Sequence, residues 1–139
     1  MATDTCLHAD MVRAPGRGFE QLFVWQRARS LCRAIQPLAA MAHKQHDYAL
    51  AQQLNRATLS IMANIAEGYA RRSRKEFARF TQIAAGSNAE ARACLYAALD
   101  RGYVDNTAFE RLMEETNEIG RMLEGLWQRL RSQATEPAG

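Results

Sequence analysis

Four groups of residues in this chain could do chemistry, and their spacing decides how far each goes. His43 and His46 stand one helical turn apart, which suits two ligands of one metal ion. No cysteine or carboxylate is spaced to complete such a site, so no metal is expected. Cys6, Cys32 and Cys94 are odd in number and lack paired spacing. That favours reduced thiols and a cytoplasmic location. Cys32 and Cys94 fall on apolar helical positions, where a thiol serves as a small core residue rather than a thiolate nucleophile. Asn64 and Glu67 lie close together, but Glu67 has no visible partner for acid–base work. It reads better as a structural group bonded to a neighbouring helix end or subunit. The fourth group is positive charge: Arg71, Arg72, Arg74, Lys75 and Arg79 crowd around the start of a predicted helix. Helix N-termini attract phosphate through free amides and the helix dipole.

Familiar active-site patterns are missing from the sequence. A di-iron bundle needs Glu-x-x-His on two helices, and no such spacing occurs. There is no G-x-x-x-x-G-K-[ST] phosphate loop and no G-x-S-x-G elbow. The expectation is a non-enzymatic protein without a cofactor. Net charge is +3, unevenly placed. Through Arg79 there are 12 Lys+Arg and 6 Asp+Glu, a balance of +6; the remaining 60 residues carry 6 and 9, a balance of −3. Such asymmetry implies one basic face and one acidic face. A basic face suits nucleic acid or another acidic partner, or it is a solvated surface paired with acidic groups of a neighbouring subunit.

The elements that must position these residues are helices. The 139 residues suit one domain, and no strand pattern is present. No run approaches the roughly 18 uninterrupted apolar residues of a membrane span. The start, MATDTCLHAD, lacks the basic and apolar regions of a signal peptide. Residues 1–18 read as a mobile tail, rich in turn formers. A first helix begins near Glu20 or Gln21, with the stripe Val24, Ala28, Leu31, Ile35, Leu38 and Ala42. Trp25 falls at its edge. Pro37 removes an amide donor and crowds the Arg33 carbonyl, predicting a kink, or a stop near Gln36 and a restart.

Asp47 is the expected N-cap of a second helix, whose core stripe is Leu50, Leu54, Ala57, Ile61 and Ile65. A second apolar arc, Leu59, Met62 and Ala66, widens the apolar surface to more than half the circumference. One stripe of roughly 100° is enough for a single bundle. The extra arc fits a central helix or, the preferred reading, a subunit interface. Gly68 either closes this helix with a positive φ or lies inside a helix running to Arg71 or Arg72. Ser73-Arg-Lys-Glu76 fits a capping box ahead of Phe77.

The third helix is expected from about Arg74 to Arg101. Phe77, Phe80, Ile83, Ala84, Ser87, Ala91, Cys94, Leu95 and Ala98 form its broad inner face, with Arg74, Lys75 and Arg79 opposite. Gly102 suits a helix C-terminus. Asp105 or Thr107 starts the fourth helix, with Thr107-Ala-Phe-Glu110 as a second box. Its stripe is Phe109, Leu112, Met113, Thr116, Ile119, Leu123, Leu126, Trp127 and Leu130. Residues 132–139 are expected to be disordered. Four helices with short links make an antiparallel up-down-up-down bundle over residues 19–131.

Asn64-Ile-Ala-Glu-Gly68, the following basic-Ser-basic run and Glu76-Phe77 resemble the four-helix bundle proteins of the 23S rRNA intervening-sequence family. The likeness extends upstream to Val24-Trp25-Gln26-Arg27-Ala28. Downstream it continues through Ile83-Ala84 and Gly86-Ser87 to Gly102-Tyr103. It departs at His43, where family members often carry a proline, at Pro37 inside the first helix, and in the segment before Phe19. The resemblance implies a ring-shaped homopentamer. It also implies an association with RNA, since the family is encoded within intervening sequences of ribosomal RNA genes. The chain is similar as well to accessory proteins of diversity-generating retroelements, which partner a reverse transcriptase and nucleic acid. The resulting expectation is a homo-oligomer that binds RNA or DNA backbones through Arg71, Arg72, Arg74, Lys75 and Arg79. Few exposed aromatics are in view, so base reading is not expected. The other reading is a scaffold that docks a protein partner through its charged faces.

Overall fold

A computed structural model describes residues 18–134, with side chains through Ser132; the expected tails fall mostly outside those residues. Among the described residues the chain is all-helical. A short 3₁₀ turn, Gly18–Gln21, leads into α1, Phe23–Ala34, and α2, Gln36–Lys44. Then come α3, Tyr48–Ala70, α4, Arg74–Asp100, and α5, Asn106–Ala134. α1 and α2 are one bundle helix broken at Pro37. The break is mild because Ile35 keeps helical angles, φ −75° and ψ −21°. The Gln36 side chain patches the interrupted ladder, donating to the Cys32 carbonyl at 3.1 Å and to Asn55 Oδ1 at 3.1 Å.

Cross-helix contacts set the directions. Gln36 meets Asn55 while Cys32 meets Thr58, so α1–α2 and α3 run opposite ways. Arg101 and Tyr103, past the end of α4, reach Asp47 at the start of α3. Asn88 donates to the Thr116 carbonyl and the ring of Tyr96 meets Phe109, so α5 opposes α4. The bundle is therefore up-down-up-down. Its core collects all six residues of the first predicted stripe and all five of the second. From α5 it takes Leu112, Met113, Thr116, Ile119, Leu123, Leu126 and Leu130. On the α4 face Cys94 is only half-buried and Ile83 is 40% exposed, because Ile83 sits at the α3 edge of the buried arc, while Thr81 and Asn88 take core positions.

Local chemistry explains the turns. Gly102, φ +75°, ends α4 with its own amide on the Leu99 carbonyl and the Tyr103 amide on that of Ala98, the double bond pattern of a left-handed helix cap. His46, φ +63°, ends α2 in the same pattern. Asp105 caps α5 by accepting from the Ala108 amide at 2.8 Å, so Thr107 lies inside the helix and the second box is not used. α5 continues past Arg131 to Ala134, four residues beyond Leu130 at the end of its apolar stripe.

Asp47 ties one end of the bundle together. Its Oδ1 accepts from the Leu50 amide at 3.3 Å. Its Oδ2 accepts from Arg101 at 2.7 Å and from the Tyr103 hydroxyl at 3.0 Å. Desolvation pushes this carboxyl up, but the bonds from Tyr103, the Leu50 amide and Arg101 outweigh it and hold it below its ordinary value. The same burial, together with Asp47, pushes the Tyr103 phenol up. A depressed carboxylate stabilises the fold above its unfolded pKa and loses that contribution as pH falls through the folded one. Asp47→Asn, which keeps a capping oxygen, should therefore lower the melting temperature at pH 7. The gap from wild type should close below about pH 4. Thermal melts across pH 3–7 check this; a gap independent of pH would contradict it.

Candidate nucleic-acid interface

The α3–α4 turn brings the five predicted basic residues to one end of the bundle, and the structure treats them unequally. α3 runs through Gly68 to Ala70, so Gly68 is interior and the left-handed residue is Arg72, φ +56°. An arginine held there carries backbone strain of about 1–2 kcal/mol relative to a right-handed residue. Gly68 serves close packing instead: a Cβ on it would lie 2.7 Å from Phe80 Cβ and 3.0 Å from Phe77 Cδ1. Ser73 caps α4, its hydroxyl accepting from the Glu76 amide at 3.2 Å. The return contact of a capping box, from Glu76 to the Ser73 amide, gives way to a bond with Arg79. Both Glu76 oxygens take Arg79, at 3.1 and 3.2 Å.

That fork from Arg79, opposed in part by desolvation and aided by the nearby charges of Arg71 and Lys75, holds the Glu76 carboxyl below its ordinary value. Glu76 in turn raises Arg79. Arg71 bonds Glu67 at 2.8 Å, and the Arg71 and Arg79 guanidinium groups lie over the Phe80 ring at 5.2 and 4.5 Å. Glu67 is thus a surface ion-pair partner on its own helix. Arg72 and Lys75 are exposed. Arg74 departs from the expected outward face: it is half-buried, and both terminal nitrogens are shut off from solvent. It lies one helical turn before half-buried Ala78, and so leans into the seam with α5 rather than away from the core.

Two arginines outside the predicted cluster belong at the same end. The Asn88–Thr116 and Tyr96–Phe109 contacts fix a register that carries Arg129 and Arg131 level with the first turn of α4. The antiparallel topology is signal enough to find them; the division into a basic first part and an acidic second part hides them.

The candidate interface residues divide as well. Leu59 is 58% exposed, and exposed Ala63 and Ala70 follow it along the outer side of α3. Ala66 is half-buried there. Met62 is absorbed by the chain's own core, against which it packs half-buried. Asn64 is structural: its amide donates to the Ser60 carbonyl at 2.8 Å and to Ser60 Oγ at 3.0 Å, and Ser60 Oγ lies 2.7 Å from Ser87 Oγ across the α3–α4 seam.

Elsewhere the chemistry is thin. His46 Nδ1 lies 2.8 Å from the Tyr48 hydroxyl and the His43 ring packs edge-on to Tyr48. Among the described residues no group of three or more His, Cys, Asp or Glu side chains is placed to hold a metal ion. Cys32 and Cys94 are free and half-buried, and burial, then Glu90, pushes the Cys94 thiol up, away from nucleophile chemistry. No helix among the described residues is long and apolar enough to cross a membrane.

Fold and site together define a four-helix bundle whose concentrated chemistry is cationic surface at one end. The profile of the 23S rRNA-intervening sequence protein family matches residues 20–125, and the chain belongs to that family. The crystal structure of a protein of unknown function from the S23 ribosomal protein family of Bacteroides thetaiotaomicron is similar in fold. Its TM-score is 0.69 at 22% identity, over 75% of this chain and 97% of that one. No curated protein matches the chain.

Proposed function

We propose that this protein is a non-enzymatic, cytoplasmic homo-oligomer, a ring of five by likeness to its family, that binds RNA or DNA backbones through its basic end. The observation that carries the reading is the cluster at the α3–α4 turn, with Arg129 and Arg131 level with it. Exposed Arg72 and Lys75 are the groups readiest to meet phosphate, since Arg71 and Arg79 already hold glutamates. Each copy of a ring would repeat this surface, multiplying weak contacts. Exposed Leu59 with Ala63 and Ala70 supports the assembly, because an apolar ridge on a charged helical surface gains by being covered. A filter-binding titration of RNA and DNA against salt tests the reading: affinity falls steeply and log-linearly with salt, with little dependence on sequence. Absence of binding at about 50 mM salt overturns it.

A second reading is a scaffold for a protein partner without nucleic-acid contact. The ion pairs Glu67–Arg71 and Glu76–Arg79, which already neutralise part of the positive charge locally, favour it. Partners recovered from the native cell that survive nuclease treatment would support it.

A further inference from the structure

Trp127 is an aromatic the bundle's core does not absorb. Trp25 packs half-buried against the core and edge-on to Phe19, 5.0 Å between ring centres. Among the described residues, the half-buried side chains that pack on that core include Trp25 but not Trp127. Trp127 lies half-buried on α5 with the exposed Arg131 guanidinium over its ring, 5.0 Å from the centre. The α4–α5 register sets the pair beside the first turn of α4, where Lys75 is exposed. An indole with a guanidinium over it, next to exposed cations, is a combination suited to unpaired nucleotides. Every base has a face to stack on such a platform, while a duplex keeps its bases stacked on each other.

We infer that the basic end takes single-stranded nucleic acid, with one base stacked on the Trp127–Arg131 pair while Lys75 and the neighbouring arginines hold phosphates on either side. This rests on the nucleic-acid reading above and names its ligand class. Stacking of this kind does not read sequence, so the expectation of little base preference stands.

The test uses the full chain with Trp25→Phe, which leaves Trp127 as the sole indole. Titration with oligo(dT) and oligo(U) quenches Trp127 fluorescence, and a duplex of equal length quenches it far less. In the otherwise native chain, Trp127→Leu weakens binding of the single strands by roughly 5- to 150-fold, the range for removing one base stack, and leaves duplex binding unchanged. Trp127→Phe restores most of the affinity. Circular dichroism confirms that the variants fold, and the quenching measurement stands without Trp127→Leu if that variant does not. Equal binding of single strand and duplex, with no change on Trp127→Leu, overturns this inference and leaves backbone binding intact. Absence of binding by either overturns both.

Discussion

Gly68→Ala should destabilise the protein even though alanine is the better helix former. The added methyl would meet Phe80 Cβ at 2.7 Å, and a Cβ cannot swing away as the end of a side chain can. α3 and α4 must separate at this contact, which also loosens the seat of Phe77. Overpacking of this kind costs about 1–3 kcal/mol, against a gain of up to about 1 kcal/mol from helix propensity. A net loss of roughly 1–2 kcal/mol in chemical denaturation is expected, with larger residues doing worse. A variant as stable as wild type would show that the helices do not approach so closely. The glycine in the Asn64–Gly68 motif is thus explained by contact between helices, and the basic turn after it takes its position from that contact.

The second large effect concerns binding. Replacing Arg71, Arg72, Arg74, Lys75 and Arg79 together should reduce the salt slope of nucleic-acid affinity. Each phosphate left without its cation lowers the slope by about 1. The structure predicts that the five are unequal. Arg72→Gln with Lys75→Gln should remove close to 2 units of slope. Arg71→Gln with Arg79→Gln should remove less, because Glu67 and Glu76 already neutralise those two in the free protein. Arg74 should matter least to the slope, since its terminal nitrogens are closed to solvent. Filter binding from about 50 to 200 mM salt separates the variants. Equal slopes for both pairs would contradict the assignment of Arg72 and Lys75 as the main phosphate ligands.

The parts of this molecule legible in sequence are those set by periodicity and by local capping. The stripes from Val24 to Ala42 and from Leu50 to Ile65 are buried as read, because a 3.6-residue repeat of apolar side chains leaves a helix one way to face a core. Asp47 and Ser73 cap as read, since each needs only a side chain and an amide three residues on. The misses need a third dimension. Nothing local shows that Gly68 stays helical while Arg72 takes the left-handed angle. That choice belongs to the α3–α4 crossing, where a glycine is needed for contact and so is not spent on the turn. Arg74 and Ile83 sit at edges of the α4 arc, where the neighbouring helix decides what is covered. Arg129 and Arg131 are distant in sequence from the cluster they join, and only the antiparallel register brings them together.

The central claim is that several copies present this basic end together, and particle mass by light scattering tests it most directly. The expected mass is a multiple of 15.6 kDa, with a shift toward one copy when Leu59→Glu places a charge on the exposed ridge of α3. A wild-type particle of 15.6 kDa at working concentration would contradict it.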